Sequence, residues 1–201
     1  MQGDKTGDAP LSEVVKEYIA EKYKKPGAVY LGVVHRLDRP TSGIVLFSKT
    51  SKALARLNKL FADRETEKIY WAIVKNPPPK SEDSLIHFLK RNPKQNKSYA
   101  HSKEVPDSKK AILHYKMIKK LDNYYLLEIS LETGRHHQIR SQLAAIGCPI
   151  KGDLKYGFDR SNVDGSIHLH AKKLSLVHPV QKEKLTFEAT TPNDPLWNVC
   201  K

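Results

Sequence analysis

The chain has 201 residues and a mass of 22.9 kDa; 39% of its residues are hydrophobic and 28% are charged. This composition is typical of a soluble globular protein with a core, and it excludes a disordered chain and one built around membrane spans. The net charge of +13 and the pI near 9.6 indicate an anionic partner, with nucleic acid as the first candidate. A membrane surface fits less well because no basic amphipathic helix with a large apolar face is visible. The alternative is a protein whose lysines are only solvated.

The cysteine and histidine content argues against metal sites and disulfides. Cys148 and Cys200 are too few for a disulfide framework and lack metal-ligand spacing. His168 and His170 have the spacing of a zinc pair, but no third ligand follows a matching pattern. With no signal peptide visible, we expect a reducing, cytoplasmic location and no metal.

The first third of the chain predicts alternating helices and strands. A helical pattern begins at Ser12, which is a plausible N-cap, and KKPG at 24–27 ends it. VYLGVVHRLD predicts a strand that runs into a turn, and IVLFSK at 44–49 predicts the next strand. Ser51 is predicted to cap a helix with an apolar stripe that faces the core. YWAIV at 70–74 predicts another strand.

From residue 76 to 110, prolines and lysines interrupt every pattern. Ten basic residues lie between Lys90 and Lys120, with tyrosines among them. One interpretation is a solvated loop and hairpin. The other, which we favour, is an arm that binds phosphates. The candidate contacts of this basic arm are Lys94, Lys97, Lys109 and Lys110.

The last third of the chain adds a strand, a helix and then a pair of strands. YYLLEISLE at 124–132 predicts a strand, and TGRHHQIRSQLAAIG predicts a helix that stops at Gly147. IHLHAKKLSLVHP alternates and predicts a strand paired with LTFEATTP. This order favours an α+β fold, in which helices flank a mixed, mostly antiparallel sheet.

The segment HRLDRPTSG places one carboxylate, Asp38, between the guanidinium groups of Arg36 and Arg39. Nearby positive charge favours the ionised carboxylate, so Asp38 is a poor general acid. It could be a nucleophile, a weak base or a tether for the turn. In isolation the tether is favoured, because aspartate in a turn commonly bonds its own backbone.

Four segments together suggest a specific family. HRLDRPTSGIVLFSK, KIYWAIV, TGRHHQIRSQLAAIGCPIKGDLKYG and LHAKKLSLVHP, in this order, resemble the motifs of the RluA-type RNA pseudouridine synthases over residues 30–180. The resemblance implies the catalytic fold of that family, with a central RNA-binding cleft. It also implies an isomerase that detaches uracil from its ribose, rotates it and rejoins it through C5, without cofactor or metal.

The resemblance also assigns roles to individual residues. Asp38 becomes the nucleophile, which adds either to the base or to C1′ of the sugar. Tyr70 stacks on the target base, and Arg140 pairs with the catalytic aspartate. Arg36 fills the gap left by the flipped base. These residue types suit that chemistry, since a nucleophilic carboxylate must be ionised and a rotating base needs a flat platform.

Further positions are candidates for RNA contact. Arg39 flanks Asp38, and Arg135 and His137 could meet the RNA backbone at a helix N-terminus. Arg135 could instead hold the acid Asp153. His35 is better explained as a supporting residue than as a catalytic one.

The sequence departs from the family pattern at a few places. Family chains usually begin with a strand that carries K-P-x-G, whereas this chain opens at MQGDKTGDAPL. We therefore expect residues 1–201 to form one catalytic domain without that first strand, through truncation or loss, and without an S4-type domain. His136, Ser141 and Gln142 also replace residues that are common beside Arg140.

Two rival functions are weighed against the enzyme. A catalytically inactive RNA-binding protein of the same fold need not keep Asp38, Tyr70 and Arg140 together. A metal-dependent nuclease needs clustered carboxylates, which this sequence lacks. We expect a monomer that acts on RNA and not on membranes. Ribosomal RNA and transfer RNA are both open as substrates.

Overall fold

The computed structural model describes residues 9–200. Their contacts divide them into two compact units, which are described separately below. The first unit comprises residues up to 39, residues 45–66 and residues 176–185; the second holds the remainder. The predicted lack of an opening strand concerns residues 1–8 too, and these lie outside the described part.

The described chain contains four helices, ten strands and one 3₁₀ turn. In chain order they are α1 (Leu11–Lys22), β1 (Gly32–Val33), β2 (Ser42–Gly43), β3 (Phe47–Ser48), α2 (Ser51–Ala62), β4 (Thr66–Val74), β5 (Glu82–Asn92), β6 (Lys97–His101), β7 (Lys109–Lys120), β8 (Tyr125–Leu131), α3 (Gln138–Ala145), the 3₁₀ turn (Leu154–Tyr156), β9 (Leu169–Val177), β10 (Lys184–Glu188) and α4 (Pro195–Asn198).

The helices of the first unit occur where the sequence predicts them, but their caps differ. Pro10 precedes α1 without a side-chain cap, so the predicted cap at Ser12 is wrong. Thr50, not Ser51, caps α2, because its Oγ1 accepts a hydrogen bond from the backbone N–H of Ala53 at 3.1 Å. An N-cap must lie just outside the helix, and each predicted cap residue is already inside it.

The strands predicted on either side of HRLD shrink to two residues each. β1 pairs antiparallel with β3, and Gly32 lies opposite Ser48. A Cβ on Gly32 would lie 2.3 Å from the Ser48 hydroxyl, so a larger residue here would displace the Ser48 side chain. Further along, Leu46 N–H donates to His35 Nε2 at 3.0 Å. The His35 side chain therefore accepts from the Leu46 N–H, a backbone group that would pair with a neighbouring strand if β3 were longer.

One large sheet dominates the second unit. Its strand order is β10-β9-β4-β8-β7-β5-β6, and β2 pairs with β9 in parallel. The pairings of β4 with β8, of β8 with β7, of β7 with β5 and of β5 with β6 are all antiparallel. This confirms the predicted α+β class with a mostly antiparallel sheet. The predicted pairing of the last two strands is confirmed as well.

The basic arm is more regular than its sequence indicated. β5 and β7 pair over eight residues where the sequence showed no clear pattern. The missed signal is alternation of burial: Ala111, Leu113 and Tyr115 are buried, and the residues between them, Ile112 and His114, are only partly buried. This period of two is typical of a strand with one face on the core.

The core of the second unit lies between the sheet and α3. Ile139 and Leu143 of α3 pack with buried residues of β4 and β8, including Ala72, Val74 and Leu127. This packing fixes the orientation of α3, whose N-terminal turn carries the GRHHQIR motif. Across residues 9–200, no helix is both long and apolar enough to cross a bilayer.

Candidate active site

The loop that carries Asp38 lies between β1 and β2 and has no regular structure. Asp38 is half-buried, while Arg36 and Arg39 are exposed. Before the acid, His35 stacks on Phe61 of α2 with ring centroids 5.0 Å apart, and its Nε2 accepts the hydrogen bond from Leu46. These contacts support the interpretation of His35 as a residue that holds the loop.

The TSG end of the same motif is fixed to β9. Ser42 Oγ lies 2.8 Å from Nδ1 of His170, and burial lowers the pKa of His170, so its ring is neutral. A Cβ on Gly43 would lie 2.4 Å from the backbone oxygen of Ala171, so only glycine permits this approach. Two separated motifs, HRLDRPTSG and LHAKKLSLVHP, thus meet through Ser42 and Gly43.

Arg140 forms a buried bidentate ion pair with Asp153. Its Nε lies 2.7 Å from Oδ2 and its Nη2 lies 2.8 Å from Oδ1. Arg140 is 5% exposed and Asp153 is 1% exposed. Two parallel charge-assisted bonds fix the plane of the guanidinium, which gives it one defined direction.

His137 completes the setting of Arg140. Its Nε2 lies 3.3 Å from Arg140 Nη1 and its Nδ1 lies 2.9 Å from the hydroxyl of Tyr156. Burial, followed by the charge of Arg140, lowers the pKa of His137 to about 3. The ring is therefore neutral near pH 7. Since arginine can only donate, Nε2 is the acceptor and the single ring proton is on Nδ1.

Tyr156, in the 3₁₀ turn, connects this cluster to the basic arm. Its hydroxyl accepts a hydrogen bond from the backbone N–H of Ser98 at 2.8 Å, which satisfies a donor of the edge strand β6. Two cations lie close to its ring: Lys97 Nζ at 5.1 Å and Arg140 Cζ at 5.0 Å from the centroid. We call Lys97, His137, Arg140, Asp153 and Tyr156 the Arg140 cluster.

The turn between β5 and β6 is also attached near this cluster. Lys155 Nζ donates to the backbone oxygen of Asn96 at 3.1 Å. Nε2 of His136 lies 3.2 Å from Asn96 Oδ1, and Nδ1 of the same ring lies 2.8 Å from Ser98 Oγ. The arm is therefore bound to the 3₁₀ turn through Lys155 and to the segment before α3 through His136.

The backbone of the GRHHQIR segment is held by Gln138. Its Oε1 accepts hydrogen bonds from the Thr133 hydroxyl at 2.8 Å and from the Arg135 N–H at 3.0 Å. Its Nε2 donates to the backbone oxygen of Ile112 at 3.0 Å. His137 adopts φ 52°, in the left-handed region, so the turn depends on this support.

The four predicted lysines of the basic arm do not share one face. Lys94 is exposed in the turn between β5 and β6. Lys109 lies opposite buried Leu89, whereas Lys110 lies one residue further along β7. Because neighbouring strand residues point to opposite faces, Lys110 and Lys109 face apart. The register places Lys97 on the face of Lys110.

Tyr70 lies in β4, opposite Ile129 of β8, and is half-buried. It packs against the core of the second unit. Its position in the sheet therefore fixes one side of the ring. Its predicted stacking on a target base stays a prediction, as does the pairing of Arg140 with Asp38.

Other predicted contacts differ from the structure. Asp153 pairs with Arg140, while Arg135 Nε donates to the backbone oxygen of Lys110 at 3.2 Å, so the alternative pairing of Arg135 with Asp153 is wrong. Arg135 is exposed, but His137 is buried with both ring nitrogens near protein groups. His137 therefore serves the cluster and is not placed as a phosphate ligand.

The sequence interpretation missed Tyr156, Lys155 and Gln138. Tyr156 belongs to the KYG tail of the same motif as Arg140, and that shared membership was the available signal. In the part of the chain that the structure describes, no group of three His, Cys, Asp or Glu residues could hold a metal ion.

Comparison with known proteins identifies the class. The model of the RNA pseudouridylate synthase family matches residues 2–145. An uncharacterized RNA pseudouridine synthase of Chloroflexus aurantiacus is 39% identical over 169 residues, which are 84% of this chain and 52% of that protein. The ribosomal large subunit pseudouridine synthase D of Zymomonas mobilis is 34% identical over 178 residues, which are 84% of this chain and 55% of that protein.

The chain therefore belongs to the RNA pseudouridylate synthase family, as the motifs predicted. It spans about half the length of the curated relatives it matches. Its fold is similar to that of human RNA pseudouridylate synthase domain containing 4, with a TM-score of 0.78 at 21% identity, over 96% of this chain and 84% of that one.

Proposed function

We propose that this protein isomerises uridine to pseudouridine at specific positions of a structured RNA. Membership of the family supports the reaction, and the charge of +13 supports a polyanionic substrate. Several relatives carry the name ribosomal large subunit pseudouridine synthase D. We therefore rank ribosomal RNA ahead of transfer RNA as the substrate.

The reaction needs no redox partner. The bond between N1 and C1′ breaks and a bond between C5 and C1′ forms. C5 loses one proton and N1 gains one, so atoms and electrons balance. The protein has to supply a nucleophile, hold the detached base while it turns, and manage these protons.

Asp38 is the proposed nucleophile, acting on the base or on C1′. The observation that carries this assignment is the support of the segment that leads into the acid. His35, three residues before Asp38, accepts the hydrogen bond from Leu46 and stacks on Phe61. A nucleophile held in one place needs less reorganisation to reach the reacting atom.

Arg140 is the proposed partner of the catalytic carboxylate. The guanidinium of Arg140 donates hydrogen bonds to Asp153 and to the neutral ring of His137, and these bonds hold the guanidinium in one orientation. A guanidinium has five N–H groups, so one arginine held in this way can serve more than one carboxylate. Tyr70 is the proposed platform for the base, and Arg36 is proposed to fill the gap that the flipped base leaves.

Mapping of pseudouridine in RNA incubated with the purified protein tests this function. Large-subunit ribosomal RNA and transfer RNA, both made without modifications, are incubated separately in buffer that contains EDTA. We expect new pseudouridine at one or a few positions of ribosomal RNA. Absence of pseudouridine from both RNAs, with tight binding retained, would instead favour the inactive RNA-binding alternative.

A further inference from the structure

The end of α1 in the first unit exposes two aromatic rings. Tyr18 is 55% exposed and Tyr23, just after the helix, is 51% exposed. Ile19 is the buried residue of this helix. A tyrosine whose ring faces water on a folded protein leaves a large flat surface available to a partner.

Two lysines hold these rings in place. Lys22 Nζ donates to the Tyr18 hydroxyl at 2.7 Å and lies 5.2 Å from the centroid of that ring. It also lies 5.9 Å from the Tyr23 centroid, and Lys49 Nζ lies 4.6 Å from the same centroid. Each exposed ring therefore has an ammonium group close to it, and Lys22 is also bonded to the phenol oxygen of Tyr18.

The surface also carries excess positive charge. Lys24 and Lys25 follow directly, and both are exposed. Of the three acids of α1, Glu13 pairs with Lys16 at 3.0 Å and Glu17 lies four residues on. Glu21 lies three residues after Tyr18 and offsets one of the four lysines, which leaves the end of the helix with a positive excess. A cationic end suits the helix dipole, but the dipole gives no reason for two exposed rings among the lysines.

We propose that Tyr18, Lys22, Tyr23 and Lys49, the α1 tyrosine–lysine surface, bind an unpaired segment of the RNA substrate. Bases stack on the two rings, and phosphates meet the two ammonium groups. Flat rings interleaved with cations are the usual means of binding single strands without regard to sequence. In a duplex the base faces are already stacked, so the surface discriminates against paired RNA. This inference deepens the proposed function and rests on it.

An anionic membrane is the competing partner, and the residues favour RNA. Binding at a lipid interface needs a broad apolar face that enters the acyl region. Here the exposed rings carry hydroxyl groups, one of which is bonded to Lys22.

The test uses the full chain and a fluorescent oligouridylate of about 12 nucleotides, with a duplex of the same length for comparison. Tyr18→Ala and Tyr23→Ala should each weaken binding of the single strand about tenfold, while duplex affinity changes less than twofold. The matched Tyr18→Phe and Tyr23→Phe variants keep the ring and should bind within twofold of wild type.

The lysines are tested separately, which also covers an alanine variant that fails to fold. Lys22→Gln together with Lys49→Gln should reduce the log–log salt slope for the single strand by about 1.4, or 0.7 for each lost phosphate contact. Lys59→Gln, an exposed lysine of α2 paired with Asp63, is the control and should leave the slope unchanged.

Several results would overturn the proposal. The proposal is wrong if the alanine variants bind the single strand as tightly as wild type. It is also wrong if they lose the same affinity for the single strand and for the duplex. A membrane partner would give a different result. Wild type would bind vesicles that contain about 30% phosphatidylglycerol, and the alanine variants would lose this binding while they keep their affinity for oligouridylate. Pseudouridine is measured on the same preparations. Ring-dependent binding without any pseudouridine would refute the proposed function alone.

Discussion

Because the ring of His137 is buried and neutral, we predict that the free energy of unfolding falls at low pH. Its pKa is about 3 in the folded protein, against 6.5 for an ordinary histidine. The unfolded chain therefore binds this proton first, so the stabilisation is complete above pH 6.5 and is lost as the pH falls from 6.5 towards 3. At pH 5 the loss from this one ring amounts to about 2 kcal/mol relative to pH 7.5.

His137→Gln is the matched variant, because a neutral amide can accept from Arg140 and donate to Tyr156 without titrating. His168 and His170 also have pKa values lowered by burial, but they remain in both proteins and cancel in the difference. Urea unfolding, followed by fluorescence of buried Trp197, gives the free energy of unfolding at pH 7.5 and pH 5.

We expect wild type to lose about 2 kcal/mol more than His137→Gln between these two pH values. Equal losses in the two proteins would refute the assignment of a neutral, buried His137. A larger loss in the variant would also contradict it, since glutamine has no proton to gain.

Three further predictions concern Asp153, the basic arm and Arg36. Asp153→Asn should lower the free energy of unfolding by about 3 kcal/mol, because it removes the carboxylate of a buried, bidentate ion pair with Arg140. Asp159→Asn, in an exposed pair with Lys75, should cost less than about 1 kcal/mol, and equal losses would contradict the importance of the buried pair. Lys110→Gln should reduce the log–log salt slope of RNA binding by about 0.7, and Lys109→Gln, on the other face, should leave it unchanged; equal slopes for the two variants would show that the faces do not differ. Arg36→Ala should slow single-turnover isomerisation strongly when the uridine lies in a closed stem-loop and much less when the loop of the same sequence is opened, because unstacking a base costs about a few kcal/mol. Equal losses on the two RNAs would indicate that Arg36 acts only as an electrostatic neighbour of Asp38.

The sequence predicted most of the sheet because its strands carry strong local signals. β4, β8 and β9 are rich in apolar residues, and the structure has each of them. The two long strands of the basic arm, β5 and β7, were missed because their apolar residues do not strictly alternate with polar ones: Ile86 is exposed in β5, and partly buried Ile112 separates Ala111 from Leu113 in β7. Local propensity is weak in such strands, and tertiary packing decides.

The site was predicted less completely than the fold. The motif identified Arg140, but its buried partner Asp153 lies 13 residues further along the chain, and spacing alone could not choose between Arg135 and Arg140. His137 was expected to face RNA because it begins a helix. The left-handed backbone at His137 and the hydroxyl of Tyr156 turn its ring into the protein, and both depend on tertiary contacts.

We propose Asp38 as the nucleophile with which this protein converts uridine to pseudouridine. The most direct test of this assignment is single-turnover formation of pseudouridine by wild type and Asp38→Asn on the RNA that the mapping identifies, with affinity for that RNA measured in parallel. Asparagine has nearly the same shape but is a poor nucleophile, so we expect no detectable pseudouridine and an affinity within a few-fold of wild type. Turnover by Asp38→Asn at a substantial fraction of the wild-type rate would contradict the assignment of Asp38 as the nucleophile.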